Sequence, residues 1–398
     1  AVTLNQKFDA DTQARLAELS RRIAGRGEAI IVSEQSIFGA ALKSLTEESV
    51  PIEVLESRDL SRLYLTDGAI TDDDLALLSR WPRLSALDLA GTDIGDEALK
   101  YLSGFKLYSL NLSRTKVTPQ GIAKLLQENS SISMITLRGL QLTDDQFQLL
   151  YRPNISGWDL ANNQLTDTGV KPLWENDVVN SLNLSANPIT LATFDATTRI
   201  GSLYLHADDC PLDDATIGKL LAAGVLSGLT LGKTNLTPSG LAGLLNSGIR
   251  IDLRSGSFTE QELASIDPIC NYFSIVGCDI TGDFLTHWTR PPDYIIMRDC
   301  KVSDKQIIAW SKLNWQPLGL AFQNEALTDR SIPALRKLAP TGELAIMGSK
   351  ITATELYGLG SMNFSLIVAS TDYSPEEIRN LKRACPKLTL QSSFYPRE

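Results

Sequence analysis

The chain has few of the residues that most often carry catalysis or hold metals. Its 398 residues include 2 histidines, 5 cysteines and 4 methionines, and the two histidines, His206 and His287, stand far apart. That scarcity argues against a histidine-based metal centre, and neither His-Glu-x-x-His nor Gly-x-Ser-x-Gly occurs. No two cysteines have C-x-x-C spacing, which removes the usual zinc signatures. No apolar run approaches the length needed to span a bilayer, and neither end carries a lipidation signal. Positive charge is also in deficit: 37 basic against 47 acidic residues give a net charge of -10, which disfavours a general nucleic-acid surface. The expectation is a chain without cofactor, metal, membrane span or nucleic-acid partner, and not an enzyme.

What the chain has in quantity is repetition. The second apolar residue of successive Leu-x-Leu cores falls at Leu65, Leu89, Leu112, Leu137, Leu160, Leu184, Leu205, Leu231, Leu253, Ile275, Met297, Phe322, Ile346, Val368 and Leu390. The steps of roughly 21 to 26 residues are those of a stacked solenoid. Within one unit, Leu87-Asp88-Leu89 alternates with the period of a half-buried strand, Ala90 to Ile94 turns, and Ala98, Leu99 and Leu102 have helical spacing. Such a unit cannot bury its apolar face alone, so neighbouring units must cover it.

Helix starts recur at the same phase. Thr118-Pro119, Thr237-Pro238 and Ser374-Pro375 put a hydroxyl at the N-cap and proline at the first helical position. Thr143 with Gln146, Thr259 with Glu262, Ser303 with Gln306 and Thr352 with Glu355 have capping-box spacing.

The pattern Leu-x-x-Leu-x-Leu-x-x-(Asn/Thr/Cys)-x-Leu, carried by Leu84 to Ile94 and by Ile155 to Leu165, resembles the leucine-rich repeat family, in a form similar to bacterial proteins with short repeats. The resemblance implies an α/β solenoid: a curved leucine-rich repeat horseshoe with a parallel sheet on its concave face and short helices on its convex face. It also implies a polar ladder at the ninth position, here Thr92, Thr115, Asn163, Asn187, Thr234, Cys278, Cys300, Ser349 and Thr371. Leu140 and Glu325 interrupt that ladder and Gly68 and Gly256 leave it empty, so irregular bends are expected there.

The expected organisation is an N-terminal helical cap over 1–58, a solenoid of about 14 to 15 repeats over 59–391, and a C-terminal tail over 392–398. The cap holds two helical stretches, Asp11 to Ile23 and Phe38 to Leu45, separated by the apolar run Ala29 to Val32. The chain opens on Ala1 rather than methionine, which fits a secreted chain after signal cleavage or a trimmed one. Export to the periplasm or cell surface is therefore expected ahead of cytoplasmic residence, and a monomer ahead of an oligomer. Cys278 and Cys300 occupy one ladder position in consecutive repeats; free thiols are expected ahead of a disulfide.

Candidate recognition residues lie between the buried leucines, where side chains project from the sheet. The inner row runs Tyr64, Asp88, Asn111, Thr136, Asp159, Asn183, Tyr204, Thr230, Asp252, Ser274, Ile296, Ala321, Ala345 and Ile367, polar first and apolar last. Just past the middle, Arg250, Tyr272 and Tyr294 form one flanking row, and Arg254, Val276 and Arg298 the other. With Asp252 and Ile296 they make a patch rich in the types that dominate interface hot spots. Tyr204 and His206 join the candidate set, with Asp208 and Asp209 beside them; a hydrated cluster is favoured over a metal site. A second candidate is the apolar end, Ile296, Ala321, Ala345, Met347 and Ile367, unless Phe394 and Tyr395 of the tail cover it. His287 is expected to be partly buried and structural.

The leading expectation is a non-catalytic scaffold that binds a protein or peptide on its concave face. The alternatives are an envelope or surface protein that binds glycan or acts as a spacer, and the recognition portion of a larger kinase or ligase.

Overall fold

The computed structural model describes residues 30–33, 60–67, 70–80, 83–194, 201–254, 256, 258–323, 326–338, 340–360, 364–369 and 372–391. The two helical stretches expected before residue 59, the 392–398 tail and the ladder positions 68, 325 and 371 lie outside them. The chain divides into two compact units, Ala1–Ile189 with Thr197–Leu203, and Thr190–Ala196 with Tyr204–Glu398.

In the first unit β1 (Ile30–Ser33) runs antiparallel to β2 (Leu60–Tyr64). Then β3 (Ala86–Asp88), β4 (Ser109–Asn111), β5 (Met134–Thr136), β6 (Gly157–Asp159) and β7 (Ser181–Asn183) follow in parallel, paired in sequence order. The second unit has β8 (Leu203–His206), β9 (Leu226–Leu231), β10 (Arg250–Arg254), β11 (Tyr272–Val276), β12 (Tyr294–Arg298), β13 (Gly319–Gln323), β14 (Glu343–Met347), β15 (Ser365–Ala369) and β16 (Leu388–Gln391), again in sequence order. From β9 onward its pairings are parallel. Between β2 and β16, most strands are followed by a bend and a short helix.

The register explains the stacking. Leu63, Leu87, Leu110, Ile135, Trp158 and Leu182 are paired across consecutive strands, and all are buried. Because side chains alternate across a strand, this apolar row faces the helices while its neighbours face the open side of the sheet. Each buried leucine contributes about 1.5–3 kcal/mol against exposure, so a repeat is stable only beside another repeat.

After the strand the chain must turn sharply. The residue two past the core is left-handed at Asp67, Gly91, Arg114, Gly139, Asn162, Ala186, Gly277, Asp299 and Gly348. A non-glycine side chain there costs about 1–2 kcal/mol, and the hydrogen bonds of the bend offset it. Asn163 shows how: its amide nitrogen donates to the carbonyls of Leu137, Leu160 and Ala161, while its oxygen accepts from Leu140 N and Leu142 N. Leu140 itself has no polar atom to offer, and the next repeat's asparagine supplies its bend instead. Thr92, Thr115 and Cys300 make the shorter version, each donating to a carbonyl of its own repeat. All five cysteines are free and buried.

On the helix side, repeats are clasped together by an acid and a hydroxyl. Asp96 accepts from Thr118 N and Oγ1 at 2.7 and 2.6 Å; Asp144 does so from Thr166, Asp214 from Thr237 and Asp304 from Thr328. The carboxylate of one helix's first residue thus caps the start of the next repeat's helix. Room for it comes from glycine: a Cβ at Gly121, Gly169 or Gly240 would sit 2.2, 2.1 or 2.0 Å from a carboxylate oxygen of Asp96, Asp144 or Asp214. This clasp also corrects one expected cap. Capping boxes form at Thr143, Thr259, Ser303 and Ser374. At Thr352, however, the backbone N–H that Glu355 would take is held by Asp329 at 2.7 Å, and only the Thr352 hydroxyl caps.

Candidate binding face in the second unit

All nine candidate residues lie in the second unit, on the sheet face opposite the helices: Tyr204 and His206 on β8, Arg250, Asp252 and Arg254 on β10, Tyr272 on β11, and Tyr294, Ile296 and Arg298 on β12. The register aligns Thr230, Asp252, Ser274 and Ile296 as one inner row, so they are neighbours on one surface.

Asp252 is the hub. Its side chain is 9% exposed and accepts from Tyr204 Oη at 2.7 Å, Tyr272 Oη at 3.3 Å and Arg250 Nε at 3.3 Å; Ser274 is its register partner on the next strand. The Arg250 guanidinium stacks over the Tyr272 ring at 4.9 Å from its centroid. Burial alone would push the Asp252 carboxyl up. The neighbouring hydroxyls of Ser274, Tyr204 and Tyr272 with the charge of Arg250 outweigh it, and Asp252 is held below the ordinary aspartate value. The tyrosines move the other way: burial and the Asp252 charge raise Tyr204 and push Tyr272 up to about 12.

Tyr204 and Asp252 are two strands apart, 48 residues in sequence, and they meet because the strand between them offers Gly228. A Cβ there would lie 2.3 Å from Tyr204 Cε2, so the ring lies across the glycine to reach the carboxylate. The same device recurs on β13, where Tyr294 lies across Gly319.

His206 and Arg254 belong to an adjoining group. The Tyr204 and His206 rings are 5.0 Å apart, and His206 Nδ1 and Asp208 Oδ2 each lie 3.2 Å from Thr230 Oγ1. Arg254 Nε is 3.6 Å from Asp208 Oδ2. Among the described residues no three of His, Cys, Asp and Glu converge as a metal-binding group.

On β12 the candidates separate. Tyr294 is 41% exposed and stands apart from the Asp252 network. Ile296 packs against Ala321, Ala345, Met347, Ile367 and Ala369, which form a buried cluster. Of the two expectations for this apolar end, burial fits the covered one: Ala321, Ala345, Met347 and Ile367 are buried and Ile296 partly so, while Phe394 and Tyr395 lie outside the described residues. The expectation for His287 is corrected. It is exposed, because it caps the short 3-10 helix Asp283–Thr286, while its neighbour Trp288 turns inward and donates to Leu263 O at 2.9 Å.

Sequence reasoning missed Asp208 as the ionic partner of Arg254, and Gly228 as the slot for Tyr204. A signal existed: residues two repeats apart with glycine at the matching position between them.

Comparisons with known proteins match two of the repeats to a family profile. Residues 84–103 and 153–173 match the profile described as Leucine Rich repeat, and the strand, bend and helix units carry the corresponding buried rows. No curated protein matches the chain. Among solved structures, it is similar to internalin C2 of Listeria monocytogenes at 21% identity over 64% of this chain and 100% of that one, TM-score 0.37. It is also similar to internalin F of the same organism at 16% identity over 97% and 96%, TM-score 0.37, and to TLR13 in its complex with ssRNA13 at 14% identity over 81% and 61%, TM-score 0.38. At these identities and TM-scores the likeness assigns no ligand, partner or activity to this chain.

No helix among the described residues is long and apolar enough to cross a membrane.

Proposed function

We propose that the protein is a non-catalytic recognition scaffold that binds a protein or peptide partner on the open sheet face of its second unit. The observation that supports this is the tyrosine and arginine network around Asp252, with Tyr204, Arg250 and Tyr272 held to one buried carboxylate. Tyrosine and arginine supply area, hydrogen bonds and charge together. Tied down before a partner arrives, they lose little rotamer freedom on binding, which otherwise costs about 0.5–1.5 kcal/mol per side chain. The repeats over 59–391 act in this reading as the frame that sets the spacing of the face, between the 1–58 and 392–398 segments.

The test is partner capture from a lysate by the immobilised intact chain, compared with Arg254→Ala and Arg298→Ala variants whose melting temperatures match the parent. Tyr272→Ala is a poorer probe, since it also removes a bond to Asp252. A partner bound by the parent and weakened about tenfold or more by the arginine substitutions supports the reading. A partner held equally by all three chains contradicts it.

A further inference from the structure

We infer that this face takes an arginine-bearing extended segment of its partner, with the guanidinium laid on the outer face of Tyr294 and paired with Glu343; the inference rests on the recognition reading above. The argument comes from one row of the sheet. Tyr272 pairs with Tyr294, Tyr294 with Gly319, Gly319 with Glu343 and Glu343 with Ser365 across consecutive strands.

The first half of the row is complete within the chain. Arg250 stacks on Tyr272 at 4.9 Å and bonds through Nε to the Asp252 carboxylate, so ring, cation and acid form a closed set. The second half has a ring and an acid and, among the described residues, no cation joined to them. A Cβ at Gly319 would lie 2.5 and 2.6 Å from Tyr294 Cδ1 and Cε1, so one face of the ring rests on the glycine backbone. The other face accounts for the exposure of a residue that is 41% accessible. Tyr294 Oη extends on toward Gly342, next to Glu343. Glu343 is exposed, and its carboxylate has no hydrogen-bond or ion-pair partner among the described residues.

The dimensions fit a guanidinium. Glu343 stands two strands from Tyr294, about 9.6 Å between backbones at the usual strand spacing, and the tyrosine ring already covers the strand between. A planar cation resting on the ring has its edge directed at the acid, which suits arginine better than lysine, because arginine stacks and bonds a carboxylate through two nitrogens at once. Two of the face's other cations also leave less call for an acidic guest: Arg250 faces Asp252 and Arg254 faces Asp208. At long range, the net charge of -10 attracts a basic segment and repels an acidic one.

The test uses the intact chain and a fluorescein-labelled peptide, Gly-Ser-Gly-Leu-Arg-Leu-Gly-Ser-Gly, read by fluorescence anisotropy beside the same peptide with citrulline or glutamate in place of arginine. The expected result is saturable binding of the arginine peptide that weakens with added salt, with the citrulline peptide about tenfold weaker and the glutamate peptide weaker still. Tyr294→Ala and Glu343→Gln should each lower affinity about fivefold, while Tyr294→Phe, which keeps the ring, stays within about twofold. Melting temperatures equal to the parent exclude misfolding, and should Tyr294→Ala fail to fold, Glu343→Gln against Tyr294→Phe decides. The inference is overturned by no saturable binding into the millimolar range, by equal binding of the citrulline peptide, or by affinity indifferent to the ring and the acid. Partner capture with the Arg254 and Arg298 variants is judged on its own, so the recognition reading and this inference fail separately.

Discussion

Asp159 in the first unit and Asp252 in the second hold the same place in their repeats, the inner residue of the strand, yet their carboxylates bind different partners. Asp159 accepts from Ala161 N, two residues on, at 3.1 Å, and its other oxygen meets Arg138 at 3.3 Å. Asp88, Asn111 and Asn183 make the same local bond to the backbone two residues ahead. That bond turns the chain, and the strands β3, β4, β6 and β7 end there after three residues. Asp252 is drawn away from its own backbone by Tyr204, Tyr272 and Arg250. β10 therefore runs on to Arg254, and β11 and β12 also have five residues. A polar side chain used to close a turn leaves a short strand and a self-satisfied face. One held by its neighbours leaves a longer strand and a wider surface of ordered large side chains.

The contrast gives a graded set of expectations. Asp252→Ala leaves two tyrosine hydroxyls and a guanidinium without their acceptor in a mostly buried place, and should cost about 3 kcal/mol. Asp159→Ala loses one local turn bond and a partly exposed ion pair, and should cost about 1 kcal/mol. Urea denaturation of both variants reads the difference, and equal losses would break the comparison. Next come Gly169→Ala and Gly240→Ala, each driving a methyl into the clasping carboxylate, at about 1–3 kcal/mol. Here the two units should respond alike, because the clasp is shared. Tyr204→Phe follows, removing a single bond to a charged acceptor at about 1.5 kcal/mol.

The smallest effects are in pH. Asp252 is held low, so its contribution is in place above the ordinary aspartate value of 3.8 and is lost as pH falls through its lower folded value. Asp252→Asn should flatten that acid limb in a pH series of melting temperatures. Tyr272 is the opposite case: raised from 10.0 to about 12, it contributes stability in full below pH 10 that is lost as pH rises toward 12. Tyr272→Phe should blunt that alkaline loss, and an unchanged limb would remove Tyr272 from the network.

Much of this was legible in the chain, for a physical reason. The leucine spacing fixes which face is buried, and threonine followed by proline, or three ahead of Glu or Gln, marks each helix start, so strand phase and the inner row could be read residue by residue. The clasp was not legible as a clasp. The threonines at helix starts were read as caps of their own helices, and only the stacking of repeats shows that Asp144 serves Thr166 of the next repeat. The site was half legible. Arg250, Asp252 and Tyr272 fell on adjacent strands and were grouped for that reason. The union of Tyr204 with Asp252 depends on what Gly228 leaves out, and a missing side chain gives no signal by itself. The apolar end was left open between exposed and covered because alternation says which way a side chain points, not whether anything lies over it.

The most direct test of the second unit as the recognition surface is a Kd titration of the captured, purified partner against matched pairs of substitutions. Arg254→Ala with Arg298→Ala alters the second unit, and Arg138→Ala, at the same position of its repeat, with Arg114→Ala, one position further along its own, alters the first. The expected result is a loss of about tenfold or more from the second-unit pair and a Kd within about twofold of the parent from the first-unit pair. An equal loss from both, or a loss confined to the first unit, would contradict it.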